Sequence, residues 1–453
     1  MPVSVFRCCP LLLALSLAAG LCLAGEPDLR RRMRALPPVE TDVVQCVACL
    51  PMEEVPSPVS ESESPLTLAD LQRLALAYHP ALGRAEAQVD AACGRWVQVG
   101  LRKNPMLGYE GTDIGESGSA GKQGGFLRQE FVTGNKRQLA REVAQREMQQ
   151  RQQDLEVVRQ RVLGDVQAHY LEAAFAERRI ELLSELAELA AREVELMQQL
   201  RTAQEVSTLD LLTVQRVHAE VTLQKRRGEH QLATARRKLA AVVGVTQLAP
   251  TRLAEPPRPE TPLSDWKDLW DRLLAESPQL ASALAARQRA EANLQLARAG
   301  RRPNVELLAG VQNDMLVQET LANVALGVPL PLFDRNQGAI CEAEAELSAA
   351  ENEIERVRMN LQHRLASSFG AWLDARRRAE YYAENILPNL RQSLKLVERA
   401  FQQKQLDYLT VVRTQKELIQ TRLEQLEAEQ QTHAALAELD NLLLADSLES
   451  SAP

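Results

Sequence analysis

The sequence predicts a mainly helical protein with a small β part, in which a two-stranded hairpin and a long helical hairpin each occur twice. Three observations carry this. From Lys136 to Ala203 the pattern stays helical for about 68 residues, broken only by Gly164, and about 65 residues from Ala339 contain only Gly370 and Pro388 as breakers. Short segments between the helical runs alternate like strands; T-L-A-N-V-A-L-G-V sets Val324, Leu326 and Val328 on one side. Residues 79–244 and 277–444 line up at an offset near 200.

Residues 1–25 have the form of a secretory signal. Arg7 supplies the basic start, Leu11 to Leu23 the apolar stretch, and Cys22-Leu23-Ala24 a small-x-small cleavage site. Cys22 also offers a lipidation acceptor, although Leu21 stands where such a signal expects a small residue. Residues 26–65 are charged and rich in proline, and read as a leader rather than a domain. Cys46 and Cys49 make a lone C-x-x-C, half a zinc site or a local disulfide, and receive no function.

Ordered chain is expected from Thr67, where Thr67 and Asp70 suit a capping box for a short helix. A second helix follows over about 81–102. Asn104-Pro105 ends it, and strands are expected over 106–112 and 126–132, with a glycine-rich loop over 113–125. The long helix comes next, about 100 Å at 1.5 Å per residue. Ala173, Ala176, Ile180, Leu183, Ala187, Ala190, Val194 and Met197 step by three and four, with Leu182, Leu186 and Leu189 beside them. Two adjoining apolar lines suit a helix with neighbours on two sides. Pro-rich residues 249–262 connect the halves.

The second half repeats the order over 263–446, with strands over 304–312 and 320–328, a loop over 313–319, and a polar tail over 447–453. Pro80 matches Pro278 and Pro105 matches Pro303, both 198 residues on; residues 134–137 match 335–338 at 201. Leu209, Leu211 and Gln215 match Leu409, Val411 and Gln415 at 200. Pro329 and Pro331 force an extended connector, and Asp334 with Asn336 suits the start of the second long helix. Four strands cannot close a barrel, and open edges invite pairing. Three chains would supply twelve strands and twelve helical passes, closing a β-layer and an α-layer together.

R-K-N-P-M-L-G-Y-E, Q-E-F-V-T-G-N-K-R-Q-L-A-R and V-P-L-P-L-F-D-R-N-Q-G-A-I resemble the TolC-like outer-membrane efflux proteins, and most of all the branch associated with cobalt–zinc–cadmium and copper efflux. The resemblance covers about residues 66–446. It implies a homotrimer with a 12-stranded barrel in outer-membrane lipid and a long periplasmic α-barrel. A periplasmic membrane-fusion adaptor and an inner-membrane proton-driven pump are the implied partners, and heavy-metal cations the implied cargo. The same fold serves drug efflux or type I protein secretion, and a peripheral coiled-coil structural protein is the alternative of another class.

The turns at 205–212 and 405–413 are, by the resemblance, the periplasmic tips. Asp210, Asp407, Thr410 and Arg413 are the expected gate residues, and Val206, Leu209, Leu406 and Leu409 the expected adaptor contacts. Ser207 and Asp407 also suit helix caps. The family tends to place glycine at these turns, where this chain has Gln204 and Lys404, which costs about 1 kcal/mol if the left-handed conformation is needed. Only 17 aromatic residues are present, with Tyr109, Phe126 and Phe131 as candidates for a membrane girdle in the first hairpin.

Catalysis has no visible constellation. The six histidines, His79, His169, His218, His230, His363 and His433, are scattered, and no phosphate-binding loop occurs. A net charge of −8 over 453 residues speaks against nucleic-acid binding. The sequence reads as a conduit without cofactor, metal site or enzyme activity.

Overall fold

The computed structural model describes residues 65–116, 120–204, 206–248, 251–256, 265–406 and 408–441. The expected signal, the Cys46–Cys49 pair and nearly all of the leader lie outside these residues, as do parts of the 249–262 connector, Asp407 and the tail.

Helix α1 (Leu68–Tyr78) starts at the expected capping box: the Thr67 hydroxyl donates to Asp70 Oδ2 at 2.6 Å, and the Asp70 N–H donates back to Thr67 Oγ1 at 3.3 Å. Helix α2 (Pro80–Gly100) begins with proline at its first position, where no N–H is needed, and His79 Nδ1 accepts from the Ala81 N–H. The second half repeats this device. Helix α5 (Trp266–Glu276) leads to α6 (Pro278–Ala299), where Ser277 takes the place of His79 and Pro278 that of Pro80.

Strands β1 (Met106–Thr112), β2 (Lys122–Phe131), β3 (Val305–Asp314) and β4 (Glu319–Gly327) form one antiparallel sheet in chain order. The first loop is shorter than expected, because β2 starts at Lys122 rather than 126, and β3 runs two residues past 312. The cause lies in Gly124. A Cβ there would collide with the Val311 carbonyl oxygen and lie 2.5 Å from Gln312 Cα, so this glycine lets β2 and β3 approach instead of turning the chain.

Helix α3 (Lys136–Thr202) is continuous and packs against α4 (Thr208–Val243) and, on another side, against α9 (Tyr408–Asp440). Its predicted stripe is the packed one: Ala173, Leu183, Ala190 and Met197 are buried, and Leu186 joins Val221 of α4 and Ile419 of α9 in one cluster. The repeat extends to the core. Leu71, Leu82, Ala235 and Leu239 hold the first cluster together, and Leu269, Leu280, Ala435 and Leu439 take the same places in the second.

The second long helix departs from expectation. It divides into α7 (Gln337–Tyr381), a π-helical turn (Tyr382–Ile386) and α8 (Leu387–Gln402). Pro388 has no N–H for the carbonyl four residues back, and the ladder adapts by widening, so that the Leu387 N–H reaches the Tyr382 carbonyl. Asn336 also departs from its expected capping role. It sits in the left-handed region at φ 59, its side chain makes no cap, and its Nδ2 donates instead to the Ala297 carbonyl at 2.7 Å. Asn135 takes the same conformation at φ 58 before α3.

Candidate functional site

Two places in the fold bear on the expected function: the turns joining the long helices, and the sheet.

At the first turn Gln204 adopts φ 61, and at the second Lys404 adopts φ 55. Both turns therefore use the left-handed residue that the sequence fills without glycine, and each carries the associated strain. Ser207 then caps α4 through a full capping box: its hydroxyl donates to Asp210 Oδ2 at 2.7 Å, and the Asp210 N–H donates to Ser207 Oγ at 3.2 Å. These bonds to Ser207, aided by the charge of Arg413, hold the Asp210 carboxyl below the usual carboxylate range. The fold thus brings Asp210 and Arg413 near each other, while Asp210 is engaged in capping. Thr410 is half-buried and Arg413 exposed.

Of the expected docking residues, Leu209 is 72 % exposed and Leu406 is exposed. Val206 and Leu409 are half-buried. Phe401 and Tyr408 pack across the second turn with ring centroids 5.6 Å apart and planes tilted by 57°. The apolar side chains at the turns are therefore split between solvent and packing.

Above the turns lies a feature that sequence reasoning missed. Lys416 Nζ of α9 meets Glu193 Oε2 of α3 at 2.7 Å, and Glu193 is only 4 % exposed. The signal was present, since Glu193 continues the buried spacing of Leu186, Ala190 and Met197. A charge on an apolar stripe asks for a buried partner. That partner is 223 residues away.

The sheet sorts its side chains by face. Opposed residues share a face, so the register places Leu107, Leu127, Ala309 and Val324 in one row, and Tyr109, Gly125, Val311 and Ala322 in the next. This face is apolar and open: Leu107 is 82 % and Val324 74 % exposed. The other face carries Glu110, Arg128, Glu306, Gln312 and Asn323, with Arg128 paired to Glu306 at 3.0 Å. Tyr109 and Phe131 lie on the apolar face. Phe126 does not: it lies on the polar face over Gly108, whose missing Cβ leaves room for the ring. A mainly apolar face backed by a more polar one is the pattern of a strand set between lipid and a water-filled lumen. Among the described residues, no helix is long and apolar enough to cross a membrane, and no group of acidic, histidine and cysteine side chains is placed to hold a metal ion.

The family model described as outer membrane efflux protein matches residues 71–245 and 269–443, most of the chain and one match for each half. The chain belongs to the outer membrane efflux protein family. This family member is similar to the cobalt-zinc-cadmium resistance protein CzcC of Cupriavidus metallidurans, at 26 % identity over 84 % of this chain and 91 % of that one. Its fold is similar to CusC, whose crystal structures concern folding and transmembrane channel formation (TM-score 0.69, 17 % identity, 83 % of this chain and 91 % of that one). It is also similar to the outer membrane protein VceC of Vibrio cholerae (TM-score 0.67, 18 % identity, 83 % and 96 %). The efflux protein is accordingly an outer-membrane channel with a long helical part, and not an enzyme.

Proposed function

We propose that the chain is the outer-membrane conduit of a tripartite efflux system, assembled as a homotrimer, that passes heavy-metal cations delivered by an inner-membrane proton-driven pump through a periplasmic adaptor. The observation that carries the assembly is the sheet: four strands in the order β1 to β4, both outer edges open, one face apolar and the other polar. Three such sheets joined edge to edge close twelve strands, with the apolar face to lipid and the polar face to the lumen. The cargo rests on the likeness to CzcC. It is tested by deleting the chain from its host: metal sensitivity must rise and be restored by the intact gene. Unchanged metal tolerance with increased drug sensitivity would transfer the cargo to the drug-efflux reading.

The turns form the mouth in this proposal. Asp210, Thr410 and Arg413 recur three times around it, Asp407 is counted with them as a gate residue from the sequence, and Val206, Leu209, Leu406 and Leu409 meet the adaptor. Exposed charge contacts of this kind contribute little each, which an adaptor can outweigh by preferring the open state. Asp210→Ala with Arg413→Ala is expected to raise single-channel conductance without adaptor. Unchanged conductance in a correctly assembled double variant leaves Asp210 with its capping role alone.

A further inference from the structure

The two ends of the sheet carry opposite charge. The end joined to the long helices is marked by Met106, Phe131, Val305 and Gly327. The four segments leaving it, 101–105, 132–135, 300–304 and 328–336, contain Arg102, Lys103, Arg301, Arg302 and Arg335 against one acid, Asp334. Helix α3 opens beside them with Lys136 and Arg137. At the far end, Asp113, Glu116, Asp314 and Glu319 stand against Lys122 among the described residues, and Lys122 pairs with Asp113 at 2.8 Å.

Most of the charge at the helix end has no use inside the chain. Lys103 is taken by Glu130 at 2.6 Å, and Lys136 by Asn304 at 2.6 Å. Arg102, Arg137, Arg301, Arg302 and Arg335 are exposed, and no side chain of these five makes an ion pair or hydrogen bond among the described residues. Asp334 accepts from the Asn336 N–H at 2.9 Å and offers them one negative charge among five positive ones.

A merely solvated run of charge is the plain alternative, and two features argue against it. The unpaired groups are all arginine, whose planar fork grips phosphate oxygens through paired hydrogen bonds and is weakly hydrated. Exposed apolar side chains also stand among them: Leu101 precedes Arg102, and Leu332 and Phe333, the latter 90 % exposed, precede Arg335. Apolar side chains and guanidinium groups at one level suit the boundary between acyl chains and headgroups. The open apolar face of the sheet leads down to that level through Leu107, Leu307 and Leu326.

We propose that Arg102, Arg137, Arg301, Arg302 and Arg335 form a collar that binds the phosphate groups of anionic phospholipids, in the leaflet on the helix side of the membrane. The lipid is anionic because a zwitterionic headgroup brings its own ammonium to its phosphate, whereas a glycerol headgroup leaves that charge to the protein. About four to eight basic residues at a membrane surface suffice for such recognition, and the acidic far end of the sheet repels the same lipid. The collar rests on the reading of the sheet as membrane-spanning and adds the lipid class that it selects.

The test reconstitutes the full chain in phosphatidylcholine vesicles at about 0.1 M salt, with a trace of acyl-chain spin-labelled phosphatidylglycerol or phosphatidylcholine. Electron paramagnetic resonance reads the label held at the protein surface. Phosphatidylglycerol is expected to be preferred about fivefold, the effect of one basic contact, and replacing all five arginines by glutamine is expected to abolish the preference. Where that variant does not reconstitute, Arg301→Gln with Arg302→Gln must lower it. Arg226→Gln with Arg227→Gln, two exposed charges on α4 away from the sheet, must leave it unchanged, as must inorganic phosphate added at constant ionic strength. A preference that survives the glutamines, that falls with the α4 pair, or that phosphate abolishes overturns the collar. Label held without preference overturns the collar and leaves the membrane-spanning sheet standing; no held label of either kind overturns both.

Discussion

Removing Lys416 leaves the Glu193 carboxylate stranded between α3 and α9, and the size of that penalty can be worked out. At 2.7 Å and an effective dielectric near 20, the attraction is about 6 kcal/mol. Withdrawing the two charges from water costs several kcal/mol for each ion, so the pair as a whole contributes little net stability. Breaking it is different, because the desolvation of Glu193 stays and the attraction goes. Lys416→Met is expected to cost about 3–5 kcal/mol, and Glu193→Leu with Lys416→Met to return to within about 1 kcal/mol of the parent. Urea unfolding followed by far-ultraviolet circular dichroism in detergent, run as a double-mutant cycle, reads both numbers. A near-neutral Lys416→Met, or a double variant that costs the sum of two singles, would refute the reasoning.

Three further outcomes are expected. Ser207→Ala should cost about 1 kcal/mol by removing the α4 cap; because Asp210 titrates below its ordinary range when bonded to Ser207, its contribution is present above the ordinary carboxylate pKa and lost as pH falls through the depressed one, so urea midpoints of parent and variant should converge in acid. Gln204→Gly and Lys404→Gly should each stabilise by up to about 1 kcal/mol, since both residues hold a left-handed backbone, and a melting temperature lowered in both would contradict that account. Gly124→Val must push β2 away from the Val311 and Gln312 backbone, so the assembled oligomer should be lost on a mild gel; an unchanged band would contradict the β2–β3 register.

The sequence made the repeated parts legible because each repeat states its periodicity twice. The stripe through Leu183, Ala190 and Met197, the cap pair Thr67–Asp70, the cap residue Ser207, and all four strands could be read from spacing and residue type. What escaped depended on distant chain. Gly124 reads as a turn until β3 is known to approach it. Asn336 suits both a cap and a left-handed residue, and only the nearby Ala297 carbonyl decides between them. Pro388 reads as a tolerated break, while the widened turn before it appears only in the backbone ladder. Glu193 escaped because its partner Lys416 lies 223 residues on, in the other half. At the candidate mouth, the sequence singled out Asp210 and Arg413, but did not show that Ser207 already engages Asp210.

The central claim is that the sheet crosses the outer membrane and the long helices hang beneath it. An epitope inserted in the turn between β3 and β4, at Leu316–Val317, should bind antibody on intact cells. The same epitope inserted after Ala203, at the turn between α3 and α4, should bind only once the outer membrane is broken. Labelling of both sites on intact cells, or of neither until lysis, would contradict the account.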